Sequence, residues 1–151
     1  KILSSTKRNF QNLIGYVPQD IFLINDTVES NIAMGDSKKD INANDIKKSL
    51  ELVELKDILD VPNIEKHKIT EQGSNLSGGQ TQMIGVARAI YRNPKILIFD
   101  EPTNNLDIIT KNKFIKNLKK ISSGRICIIV SHDTELLKNC NKVITVDEKF
   151  N

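Results

Sequence analysis

Four short patterns hold residues whose types and spacing can do chemistry. Residues 95–103, Lys-Ile-Leu-Ile-Phe-Asp-Glu-Pro-Thr, carry an apolar run straight into two adjacent carboxylates, Asp100 and Glu101. Burying paired carboxylates is costly unless something cationic meets them. In open parallel sheets, ligands sit beyond the carboxyl ends of the strands, where these two acids fall. Asp100 can hold Mg²⁺ directly or through water, and Glu101 can take a proton from an attacking water. The plainer alternative is the polar end of a strand. Residues 76–80, Leu-Ser-Gly-Gly-Gln, put a hydroxyl and two glycines ahead of a helical run. Glycines let the backbone approach an anion, and the free amides of a helix N-terminus favour negative charge, so Ser77, Gly78 and Gly79 suit a phosphate. A glycine turn capped by Ser77 has the same sequence. His132, in Val-Ser-His-Asp, follows a second apolar run and can either touch a terminal phosphate or cap the next helix beside Ser131. Gln19, just after Tyr-Val-Pro, offers a neutral amide that can orient water or touch a metal, or can simply be solvated.

These residues need elements to place them. Apolar runs at residues 96–99, 126–130 and 143–146 read as buried parallel strands. Between the first two, Ile108, Ile115, Leu118 and Ile121 recur at helical spacing with lysines on the other positions, which predicts an amphipathic crossover helix. With a short helix over 134–139 this makes a strand-helix-strand-helix-strand series, hence an α/β sheet with right-handed crossovers. Upstream, residues 14–17 predict a strand stopped by Pro18, and residues 20–34 show no firm period. Residues 44–59 predict an amphipathic helix with Asn44 as N-cap, and 81–90 another helix after a polar connector holding Pro62 and Gly73. The coarse picture is a helical insertion, about residues 26–92, between sheet elements.

Composition sets the outer bounds. A chain of 151 residues has room for one ordinary domain, and 38% hydrophobic with 27% charged residues reads as soluble and globular. No apolar run nears the ~18 residues that cross a bilayer. The net charge of +3 comes from 22 basic and 19 acidic residues, interspersed, so no nucleic-acid footprint is expected. Cys127 and Cys140 stand in unlike contexts and exclude a disulfide scaffold, and Cys127 reads as a small buried hydrophobe. The sequence starts at Lys1 and shows no signal peptide, which reads as a piece of something longer.

Taken together and in order, the patterns become specific. Tyr-Val-Pro-Gln ending at Gln19, Leu-Ser-Gly-Gly-Gln ending at Gln80 with Ala-Arg-Ala-Ile after it, Ile-Leu-Ile-Phe-Asp-Glu-Pro-Thr-Asn-Asn-Leu-Asp ending at Asp107, and Ser-His-Asp around His132 resemble the motifs of an ABC-type ATPase. They correspond to the Q-loop, signature, Walker B with D-loop, and switch histidine. The resemblance implies a P-loop NTPase-like α/β fold with a mostly parallel sheet and an inserted helical signature subdomain. It divides the chain into a Q-loop region (1–25), a helical subdomain (26–92) and a Walker B, D-loop and switch-histidine core (93–151). It also implies the cofactors ATP and Mg²⁺. Asp100, with Gln19, would hold the metal; Glu101 would be the general base, with His132 on the γ-phosphate and Gln19 linking metal to coupling surface. Ser77, Gly78, Gly79 and Gln80 would meet an ATP seated on a second ATPase domain, with Asp107 at that interface.

The stretch from Gln19 to Ile32, and Thr-Glu-Gln-Gly at 70–73, resemble the exporter branch, which implies coupling helices of a transmembrane domain as partners and the cytoplasmic face of a membrane as location. A ribosome-associated ABC ATPase and a catalytically silent interaction module are the alternatives. Two departures stand out. Thr81 replaces a basic residue common in relatives, and none of the glycines (15, 35, 73, 78, 79, 85 and 124) begins a Gly-x-x-x-x-Gly-Lys-[Ser/Thr] motif. The expectation is therefore that the sequence begins after the P-loop, and that these residues alone hydrolyse ATP negligibly and expose apolar surface.

Overall fold

The computed structural model describes residues 13–55 and 62–146. Three strands, β1 (Ile14–Val17), β2 (Ile96–Asp100) and β3 (Ile126–Val130), form a parallel sheet in that order. The register aligns Val17 with Phe99 and Ile129 on one face, and Tyr16 with Ile98 and Ile128 on the other. Side chains alternate across a strand, so each apolar run supplies both faces.

The two faces meet different surroundings. Val17, Leu97 and Phe99 are fully buried. Phe99 meets the ring of Phe114 edge-on, with centroids 5.9 Å apart, which docks the helix α4 (Ile108–Ser122) on that side. On the opposite face Tyr16, Ile126, Ile128 and Val130 are 52%, 63%, 49% and 55% exposed. The exposed apolar surface expected from the sequence is this sheet face.

Between β1 and β2 lie α1 (Val28–Ile32), α2 (Ala43–Leu52), two 3₁₀ turns (Ile64–Lys66 and Glu71–Gly73) and α3 (Gly78–Tyr91). Ten of the fourteen α3 residues are buried, because α1, α2 and β1 all pack on it. A helix buried on most of its circumference is a structural hub. α5 (Thr134–Leu137) follows β3, with Leu136 buried.

Several expectations need correction. Residues 143–146 form no strand; Val143, Ile144 and Val146 are exposed by 53%, 74% and 83%. A four-residue apolar run becomes a buried strand only where it pairs with a strand edge under a covering layer, and among the described residues 143–146 pair with neither free edge of the sheet and stay exposed. The second helix is capped by Asn42, whose side chain accepts from the amides of Asn44 and Asp45, and it ends at Leu52, ahead of Glu54 in the left-handed region (φ 52°). The remainder of the predicted span, from residue 56, lies outside the described residues. The α4 stripe is Thr110, Phe114, Asn117, Leu118 and Ile121, and Ile108 is 72% exposed. Among residues 20–34 a short helix, α1, forms behind its Thr27 cap.

Candidate functional site

Because the strands are parallel, the chain leaves all three at one edge of the sheet. Gln19 therefore stands just past β1, Asp100 and Glu101 end and follow β2, and Ser131 and His132 follow β3. Glu101 has φ +44°, a left-handed conformation that costs a non-glycine residue on the order of 1 kcal/mol. It is held there from several sides. Its amide donates to the carbonyl of Val130 (2.9 Å). The Ser131 hydroxyl donates to Oε2 (3.2 Å), and Nδ1 of His132 lies 2.9 Å from Oε1. A carboxylate partner makes Nδ1 the donor, which leaves Nε2 as the ring nitrogen for a ligand. The Glu101 side chain is 17% exposed and that of His132 77%.

Asp100 accepts a hydrogen bond from the Tyr16 hydroxyl (3.1 Å), and this bond raises the Tyr16 pKa above its ordinary value. Tyr16 reaches it from the neighbouring strand, where it is aligned with Ile98, two residues before Asp100 on the same face. Gln19 is exposed at the bend beyond β1.

The second group forms around the start of α3. Ser77 is its N-cap and makes a reciprocal pair with Gln80: the Ser77 hydroxyl accepts from the Gln80 backbone amide (3.2 Å), and the Gln80 side-chain oxygen Oε1 accepts from the Ser77 backbone amide (2.8 Å). Capping is thus realised in this pattern, and Gln80 takes part in it. A Cβ on Gly78 would lie 3.0 Å from the Asn105 carbonyl oxygen, and one on Gly79 would lie 3.2 Å from the Thr110 methyl. The glycines let this helix end sit against residues 105–110. Asp107 caps α4, accepting from the amides of Ile109 and Thr110 (2.9 and 3.0 Å) and from the Thr110 hydroxyl (2.7 Å). The Thr110 hydroxyl, followed by its amide, holds the Asp107 carboxyl below the usual carboxylate range.

A third network joins the two. Lys111 of α4 pairs with Asp133 (2.7 Å) and Glu135 (3.1 Å), and Thr103 donates to Asp133 (3.1 Å). Asp133, not His132, caps α5, so the capping alternative for His132 falls away. Lys111, Thr103 and Tyr16 were not singled out from sequence. Their partners lie across strand registers or on other elements, and only the sequence-adjacent Ser131 and Asp133 gave a local signal.

The donor chemistry of Asp100 and Gln19, one carboxylate and one amide oxygen, fits Mg²⁺, which usually takes one or two carboxylates plus phosphate and water. The described residues contain no cluster of three or more His, Cys, Asp or Glu placed to hold a metal ion. Cys127 is half-buried, and burial, with Cys140 nearby, pushes its thiol up to about 11. No described helix is long and apolar enough to cross a membrane.

This arrangement, with acids and histidine at the carboxyl edge of a parallel sheet and a capped Ser-Gly-Gly helix start beside an aspartate cap, is that of an ABC ATPase domain. The family model described as "ABC transporter" matches residues 1–104, and the chain belongs to that family. It is 36% identical over 141 residues to "ABC transporter ATM1" of Toxoplasma gondii, a match covering 93% of this chain and 12% of the relative. It is 32% identical over 142 residues to "ATP-dependent lipid A-core flippase" of Cupriavidus pinatubonensis, covering 93% of this chain and 24% of that protein. Among solved structures, a bacterial Atm1-family ABC exporter with ATP bound superposes with a TM-score of 0.75 at 29% identity, over 87% of this chain and 23% of that one. The chain thus spans a quarter or less of the length of these relatives.

Proposed function

We propose that these residues form the Walker B and signature portion of an ABC exporter's ATPase domain, coupling ATP hydrolysis at an interface between two such domains to transport across a membrane. The observation that carries this reading is Glu101, held in a strained backbone conformation with its carboxylate fixed by Ser131 and His132. Backbone strain kept by several independent contacts is a mark of functional positions.

In this reading Glu101 accepts the proton of the attacking water. His132 keeps that carboxylate oriented through Nδ1–H and, with the ring carrying a proton on both nitrogens, donates Nε2–H to the terminal phosphate. Asp100 and Gln19 would hold Mg²⁺, which supplies neutralisation of phosphate charge. Ser77, Gly78 and Gly79 offer the hydroxyl and helix-start amides to an ATP seated on a second ATPase domain, with Asp107 setting the adjoining turn. The partners are that second domain and the coupling helices of a transmembrane domain, on the cytoplasmic face of the membrane. Lacking the glycine-lysine loop in their sequence, residues 1–151 alone should bind Mg·ATP weakly.

The test is Mg²⁺-dependent ATP hydrolysis by the full polypeptide that carries this sequence. Glu101→Gln is expected to lower turnover by about a hundredfold or more, the scale of losing a general base, while ATP still binds. Turnover at the unmodified rate would overturn the reading. So would robust hydrolysis by the 151-residue chain alone that Glu101→Gln abolishes.

A further inference from the structure

The segment after Gln19 is tied to α3 in an unusually direct way. At Gly85, midway along the helix, a Cβ would lie 2.4 Å from Cδ1 of Ile21, so Ile21 packs against bare helix backbone. One turn on, Arg88 spans two separate carbonyls: Nε donates to Asn31 (2.8 Å) and Nη2 to Phe22 (2.9 Å). The Asn31 carbonyl sits in the last turn of α1, where helix carbonyls lack intrahelical partners and a cation is favoured. Asn31 itself is completely buried. Its side chain accepts from the Ile24 amide (2.8 Å) and donates to the carbonyls of Ile24 (3.0 Å) and Thr27 (3.1 Å). Phe22, by contrast, is 59% exposed.

One guanidinium therefore fastens both ends of the 22–31 segment to the helix whose start carries Ser77, Gly78 and Gly79. Ten residues of helix separate Gly78 from Arg88, about 15 Å at 1.5 Å per residue. A planar fork meets the two carbonyls from two nitrogens held at a fixed separation, whereas a lysine ammonium offers its three donors from a single atom on a flexible stem.

We infer that Arg88 is a positioning residue: it locks the exposed Phe22 edge to α3, so that this edge and the signature end of the helix move as one body. The lock is a property of this fold; its use in transmitting motion between Phe22 and a nucleotide at Ser77 rests on the function proposed above.

Native-state hydrogen exchange on the 151-residue chain separates the two, since it needs no nucleotide. In the unmodified chain, amides of residues 24–31 and of α3 are expected to exchange in one cooperative unit. Arg88→Lys, which keeps the charge and the alkyl stem, is expected to lower protection of residues 24–31 by about tenfold or more, the scale of losing a charged hydrogen bond. Protection across residues 82–87 of α3 and the global unfolding midpoint should hold. Arg88→Met should widen the same split; should it not fold, the lysine variant decides alone. A uniform loss over both segments would show a merely structural role and overturn the inference, as would full retention of protection at residues 24–31. A split in exchange together with unimpaired hydrolysis by Glu101→Gln in the full polypeptide would leave the lock standing and remove the proposed function.

Discussion

The sheet edge and the start of α3 are two polar regions built on opposite plans. At the sheet edge, side chains do the work: Glu101 is bent into a left-handed conformation and its carboxylate is gripped by Ser131 and His132. At the helix start the backbone is relaxed and well capped, and what it offers is a hydroxyl and amide groups between two small residues. In the proposed function one region moves a proton and the other presents fixed dipoles to an anion. Neither completes a phosphoryl-transfer site alone, which is why the two-domain arrangement of the proposal suits this chain.

Changes that break the contrast should differ in kind as well as size. The largest effect is expected from Glu101→Gln in the full polypeptide, a fall in turnover of about 10²-fold or more with nucleotide binding kept, read by steady-state hydrolysis beside equilibrium ATP binding. Next comes Gly79→Val. A Cβ there already lies 3.2 Å from the Thr110 methyl, and a branched side chain would push the helix start off Asp107. Association of two domains driven by ATP should weaken by about tenfold or more, the scale of donors misplaced by about 1 Å, while hydrolysis-deficient Glu101→Gln domains should still associate.

Smaller effects fall on stability. Ser77→Ala removes an N-cap and should cost about 1 kcal/mol in denaturant unfolding. Glu101→Gly and Glu101→Ala both lose the carboxylate and hydrolysis, and the glycine variant should be the more stable of the two by about 1 kcal/mol, because only alanine keeps the left-handed strain. The mildest is a pH effect. The Asp107 carboxyl is held below its ordinary pKa by Thr110, so the fold favours its charged form. Its contribution to α4 is complete above the ordinary carboxylate pKa and fades as pH falls through the lowered one; in Asp107→Asn this acid-side loss should shrink, as seen by helical circular dichroism.

Much of this was legible in the sequence, for local reasons. The runs forming β1, β2 and β3 are rich in branched residues and bounded by polar ones, and the motif residues sit within a few positions of strand or helix ends, where turn chemistry is written locally. What escaped was set by distance along the chain. The Tyr16 to Asp100 bond depends on parallel register across 84 residues, and Lys111 to Asp133 on how α4 returns to the sheet. Residues 143–146 have the composition of a strand, but pairing depends on where the chain carries them, and among the described residues they join no strand of the sheet. Asn42 and Asn44 are both good caps, and only the backbone turn at Asn42 settled which one serves.

In the proposed dimer each chain supplies the base to one site and the signature to the other. This arrangement is tested most directly in dimers of the full polypeptide purified with one Glu101→Gln copy and one Ser77→Arg copy, measured by single-turnover hydrolysis against dimers carrying both changes in the same copy. The divided pair should keep one intact site and release about one phosphate per dimer, whereas the pair with both changes in one copy should release almost none. The reverse result, with hydrolysis surviving only when both changes share a copy, would place base and signature in the same site and contradict that arrangement.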